Sequence, residues 1–225
     1  YTADQARYAL AANAPETADS EFSWKDFQSR CNAELLGKFG NFIHRVLVFA
    51  RQHCRSLIPP MGDLHEADKR FLAQIEHLME MIASSFRAFQ LRKASQHLME
   101  LAQAGNVYFD MKKPWMMAKD PEKKFLLETT IACSLLCIKN LSLAASPLMP
   151  ETAQKIWEML GFTTTLAQGN WAEIAADSLP AGRALSEPVV LFKKIEDSEV
   201  EEQIAKLGKP IEQAPKALLS AAALP

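Results

Sequence analysis

The sequence predicts an all-α protein: a bundle of about five core helices with a C-terminal tail wrapping back over it. Three observations carry that expectation. Phe27, Cys31, Leu35, Phe39, Phe42, Val46 and Phe49 recur at steps of three and four, the spacing of a buried helical stripe. Helix start and stop signals punctuate the chain: Ser23 and Asp26 in capping-box spacing, Asp120-Pro121 at a start, Gly161 at an end. Only Val189-Val190-Leu191-Phe192 reads as an extended segment, and a brief one.

Residues 3–12 form the first helix, with Gln5 and Arg7 facing solvent, and a polar connector containing Pro15 fills 13–21. The helix opened by Ser23 runs to about Cys54, which at 1.5 Å per residue makes it about 45 Å long. Gly37 and Gly40 lie inside it, each disfavoured by about 1 kcal/mol relative to alanine. Close approach of a neighbouring helix or a ligand is the expected compensation. Pro59-Pro60-Met61-Gly62-Asp63 breaks the pattern. Residues 66–88 and 90–108 are helical, as one interrupted helix or two. Asp120 caps a helix with proline in its first turn, running to about Leu143. Pro147 and Pro150 bracket a turn before a shorter helix over 150–160. After Trp171 the chain turns irregular through Pro180, Gly182 and Pro188. Residues 196–207 are helical, and the Ala/Pro-rich end is expected to fray.

Composition narrows the function. A chain of 225 residues has room for one or two domains with a sizeable core. Its 48% apolar and 23% charged residues are those of an ordinary globular protein, and no uninterrupted apolar run reaches the ~20 residues that span a bilayer. No membrane partner is expected. Tyr1 is not an initiator methionine and no signal peptide is visible, so the chain reads as a piece of a longer polypeptide. The net charge of −2 means that any RNA contact must come from a local patch. Cys31, Cys54, Cys133 and Cys137 fall within apolar helical patterns and read as reduced cytosolic thiols. Without a Cys-x-x-Cys pair, no zinc site is expected. His77-x-x-Glu80 and His97-x-x-Glu100 repeat a spacing that could suggest a metal-binding bundle. The order is the reverse of the Glu-x-x-His pairs that hold metals in bundles, and no matching carboxylates recur, so two exposed helix faces are the plainer reading. No nucleophile–base pair or Gly-rich phosphate loop is present, and neither a catalytic residue nor a cofactor site is expected in this chain.

The most informative stretch is Asn106-Val107-Tyr108 followed by Pro114-Trp115-Met116-Met117-Ala118-Lys119, with lysines at 112, 113 and 119. A tryptophan held by proline and ringed by positive charge reads as an aromatic platform for an unstacked base. Upstream, Asn41 and Arg45 share a helix face four residues apart, with Lys38 on the same face. Arginine offers donors only, whereas asparagine offers a donor and an acceptor. That pair suits cytosine, which presents acceptors at N3 and O2 and a donor at N4.

These stretches, with Ala6-Arg7-Tyr8-Ala9-Leu10, Phe22-Ser23-Trp24-Lys25-Asp26-Phe27, Ser146-Pro147-Leu148-Met149-Pro150 and Leu191-Phe192-Lys193-Lys194-Ile195, resemble the anticodon-binding region of the methionyl-tRNA synthetase family. The match extends from near the start to about Gly208. It implies the helical anticodon-binding bundle of class Ia aminoacyl-tRNA synthetases. Residues 1–21 would be the end of the stem-contact element and a connector, 22–175 the bundle, and 176–225 the returning tail. It also implies a cytoplasmic parent enzyme that charges methionine tRNA with ATP and magnesium. The partners would be the CAU anticodon loop and a catalytic domain of the same polypeptide, not DNA. The family's two ATP-handling signatures, one ending in Gly-His and one built on Lys-Met-Ser-Lys-Ser, are absent, so this chain alone should not activate methionine. Asn41, Arg45 and Trp115 match anticodon-contacting positions, and Asn106 matches a further position nearby.

Each residue keeps a plainer alternative. Trp115 could be core, Arg45 a surface ion pair, and Asn41 packing against Gly37 or Gly40. Lys38, Lys112 and Lys113 could be phosphate contacts or a solvated face, and Asn106 could cage Trp115 or touch RNA. A helical interaction module without RNA is the rival function.

Overall fold

The computed structural model describes residues 1–16, 19–176 and 178–207. The Ala/Pro-rich end beyond Leu207, expected to fray, lies outside the described residues. The described residues are helical throughout their core: α1 (Ala3–Ala12), α2 (Trp24–Arg30), a π-helix (Cys31–Gly40), α3 (Asn41–His53), α4 (Glu66–Arg87), α5 (Leu91–Lys112), α6 (Pro114–Met117), α7 (Lys124–Ala145), α8 (Pro150–Met159), α9 (Trp171–Ala176) and α10 (Asp197–Ile204). Short 3-10 turns cover Pro121–Lys123 and Leu166–Gln168.

The long helix anticipated from Ser23 to Cys54 is continuous but changes winding in the middle. Over Cys31–Gly40 the backbone is π-helical, and at its end the Asn41 N–H reaches back to the Leu36 carbonyl. Phe27, Cys31, Leu35 and Phe39 are spaced by four along this stretch, and all four are buried. α5 packs closely on α3 at Gly105, where an added Cβ would run into the Phe42 ring. Of the two glycines singled out in the sequence, Gly40 has the Phe192 ring 3.4 Å from where a Cβ would stand, while Gly37 meets only the helix's own Asn32 carbonyl.

α4 and α5 are two antiparallel-spaced helices rather than one, broken where Phe89 takes a left-handed φ of 56°. α7 is the central helix. Its composition would let it cross a membrane by length and hydropathy, yet 83% of its most apolar window is buried inside the fold. That window includes scattered polar residues, which is why no unbroken apolar run marks it in the sequence. α1 docks on this assembly through two polar links: Asp4 accepts the N–H of Thr152 at the start of α8, at 2.7 Å, and Tyr8 donates to Glu34, at 2.7 Å. Gln5, expected in solvent, is buried, and its side chain completes a capping box with Thr2.

The tail returns along the long helix in the opposite direction. The Ile58 N–H donates to Arg183 O, Arg51 donates to Leu185 O, Phe192 meets Phe39 edge-on, and Asn32 exchanges two hydrogen bonds with the Ile195 backbone. α10 then packs on α2. Val189–Phe192, read as extended from sequence, forms no strand; an isolated bridge pairs Leu57 with Ala184 instead.

Candidate nucleic-acid interface

Trp115 is delivered by a sharp corner. α5 ends at Lys112, Lys113 adopts a left-handed conformation (φ 49°, ψ 57°), and buried Pro114 opens the single turn of α6. Proline suits that first position because it has no N–H to leave unpaired. The indole remains 38% exposed, so it is not sealed in the core. Its inner side meets Phe109, with ring centroids 6.2 Å apart at 58°. Phe109 is buried and braced edge-on by Phe49 at 5.9 Å.

Arg45 comes to the same aromatic residue from α3. Its guanidinium carbon lies 5.4 Å from the Phe109 ring centroid, within cation–π range. Phe109 is therefore the hub that joins Arg45 to Trp115. Arg45 Nη2 also donates to Asp110 Oδ1 at 2.7 Å, with both side chains partly open to solvent. Asn41 stands exposed on α3, one turn before Arg45. Guanidinium and half-open indole thus both pack against one buried phenyl ring.

The other two predicted site residues lie apart from that group. Asn106 is buried, and its amide donates to Lys38 O and Ala102 O, each at 3.1 Å. Both of its donors serve the fold, one of them tying α5 to the end of the π-helix just ahead of Asn41. Lys38 is exposed, but its side chain borders a cleft with Tyr8, Arg30, Glu34, Arg92 and Glu100 rather than the indole. Lys112, weighed as a phosphate contact or solvated lysine, is neither: its side chain is 9% exposed and donates to fully buried Asp68 at 2.7 Å. Lys113 and Lys119 are exposed.

Sequence reasoning missed Phe109 and Asp110. No local signal marks them: Tyr108 turns inward to Asp68, 40 residues away, and only that contact fixes which way its two successors face. The four cysteines are buried and unpaired, and burial pushes the thiols of Cys31 up to about 12 and of Cys54 and Cys133 up to about 11. Among the described residues no group of three His, Cys, Asp or Glu side chains could hold a metal, and His97 Nδ1 instead lies 3.4 Å from the Ser85 hydroxyl.

Comparison with known proteins agrees on one family. The profile described as "Anticodon binding domain of methionyl tRNA ligase" matches residues 58–210, and that described as "tRNA synthetases class I (M)" matches residues 1–47. Asn41 and Arg45 thus fall under the second profile and Trp115 under the first. The chain is 49% identical over 207 residues to a methionine–tRNA ligase of Protochlamydia amoebophila, covering 92% of this chain and 30% of that protein. It is 40% identical over 205 residues to one of Chlamydia pneumoniae, covering 87% and 37%. The chain therefore spans about a third of the length of these relatives. Among solved structures, free methionyl-tRNA synthetase of Mycobacterium tuberculosis superposes with a TM-score of 0.80 at 27% identity, covering 86% of this chain and 39% of that one.

Proposed function

The chain belongs to the methionyl-tRNA ligase family, in its anticodon-binding domain, and from that premise we propose that the Arg45–Phe109–Trp115 row reads the first base of a CAU anticodon. The observation that carries the proposal is the half-open indole packed on the same phenyl ring that the Arg45 guanidinium overlies. A cytosine stacked on Trp115 would turn its N3 and O2 acceptors to Arg45 and its N4 donor to the Asn41 carbonyl oxygen. Uracil carries an N–H at position 3, so a donor would face a donor, and the arginine would lose a bond it has to desolvate to make. Arg45 must leave Asp110 to do this. The acidic residue holds the fork ready and also sets a threshold that a poorly matched base fails to repay.

In this reading Asn106 supports the site from below, and Lys38 is remote from the base platform. The whole polypeptide would attach methionine to tRNA with ATP and magnesium in the cytoplasm, through a catalytic domain whose ATP-handling signatures lie outside this chain. An interaction module without RNA is not favoured by the family match. A fluorescence anisotropy titration of a CAU anticodon stem-loop against the same loop beginning with U tests the base reading. The expected preference for CAU is about tenfold or more, the value of a good base-edge contact. Equal binding of the two loops would remove Arg45 and Asn41 from base recognition. Arg45→Lys should lose the preference, because an ammonium lacks the planar fork.

A further inference from the structure

We propose that Asp68, through Lys112, is a positioning residue for the Trp115 platform; this rests on the function proposed above. Asp68 has no exposed surface, and its two oxygens serve two different helices. Oδ2 accepts the His65 backbone N–H at 2.9 Å, closing the N-terminal capping box of α4. Oδ1 accepts the Tyr108 hydroxyl and the Lys112 ammonium, each at 2.7 Å, from the last turns of α5. One carboxylate therefore fastens the start of α4 to the end of α5. Tyr108 is further held by stacking on Phe71, with centroids 4.0 Å apart and planes within 7°.

A buried ion pair is weak as a source of stability, because desolvation of both charges offsets most of their attraction. An apolar pair would fill the same space. What the ion pair adds is a fixed address for Lys112, and the corner begins at the next residue. Lys113 is left-handed without being glycine, a conformation that the relaxed choices Gly or Asn usually occupy at a helix end. It is held between two anchored neighbours, Lys112 on Asp68 and buried Pro114. The indole follows directly. With Lys112 released, α5 can end elsewhere, and Trp115 no longer has to lie against Phe109.

The test is a double-mutant cycle on the 225-residue chain, read as affinity for a labelled CAU anticodon stem-loop by anisotropy, with helicity followed by circular dichroism. Lys112→Met should weaken binding at least threefold in folded protein. In a Trp115→Ala background the same substitution should add less than twofold, since no platform is left to misplace. Lys112→Arg, which keeps a cation for Asp68, should recover most of the loss. Should Lys112→Met melt the chain, Asp68→Asn is the second variant: it removes the charge that holds Lys112 and keeps one acceptor oxygen, with an amide NH2 in place of the other; in folded protein it should show the same dependence on Trp115. Wild-type affinity in the folded variant, or losses that simply add to that of Trp115→Ala, would overturn the proposal while leaving the base platform intact. If Trp115→Ala itself binds as wild type, the platform reading fails and the positioning role fails with it.

Discussion

Arg45 donates to Asp110 across 2.7 Å while lying over the ring of Phe109, the residue that immediately precedes its partner. The guanidinium is thus held by one charge and one aromatic face, against the same ring that Trp115 packs on, in an orientation set before any ligand arrives. Preorganisation of this kind limits the ordering cost of binding. The competing carboxylate means that only a ligand offering equivalent acceptors can take the fork over.

Removing the competitor should strengthen binding. A partly exposed ion pair is worth about 0–1 kcal/mol, so Asp110→Ala should tighten CAU stem-loop binding by up to about fivefold. The gain should extend to loops with other first bases, narrowing discrimination. Anisotropy titrations at fixed salt measure both, and weaker binding would show that Asp110's orienting of Arg45 outweighs its competition for the fork.

Asn106 should behave as a structural residue. Asn106→Ala leaves the Lys38 and Ala102 carbonyls without its amide, and a thermal melt should record a loss of about 1–3 kcal/mol. The affinity lost for RNA should be smaller than that from Trp115→Ala. An unchanged melt with strongly weakened binding would place Asn106 in direct contact with RNA.

Gly105→Ala should be more damaging than either Gly37→Ala or Gly40→Ala. The new methyl would enter the space of the buried Phe42 ring, whereas Gly37 meets only backbone of its own helix. Overpacking of this kind costs about 1–3 kcal/mol. Urea denaturation of the three variants ranks them directly.

Acid should release the Asp68 clamp. Burial alone pushes this carboxyl up, but hydrogen bonds from Lys112, Tyr108 and the His65 backbone more than offset it and hold it below its ordinary value of 3.8. A carboxyl whose folded value is depressed contributes its stability above the unfolded value and loses it as the pH falls through the folded one. The stability difference between wild type and Asp68→Asn should therefore be constant above about pH 5 and shrink below about pH 4. A difference that persists unchanged to pH 2 would contradict the assignment.

Much of this was legible in the sequence. The period of the Phe27–Phe49 stripe gave the long helix, Pro and Gly marked its neighbours' ends, and Pro114-Trp115 marked the corner. The π-helical winding was not legible: a stripe of threes and fours is ordinarily met by an α-helix, and the period alone does not separate the two. The partners of charged residues were not legible. Lys112 and Lys113 are adjacent and chemically identical, yet one is bound to a buried aspartate 44 residues away and the other faces solvent. Phe109 and Asp110 acquire their roles only when α5 crosses α3, a tertiary event with no local signature.

Stacking on Trp115 is the central claim, and the most direct measurement is the dissociation constant of a CAU anticodon stem-loop for the wild-type chain and for Trp115→Ala at the same salt. Loss of one aromatic–base stack is worth about 1–3 kcal/mol, so the variant should bind about five- to 150-fold more weakly with its helicity unchanged. Affinity within twofold of wild type would contradict the account and return Trp115 to the packing role that a tryptophan against phenylalanine can also fill.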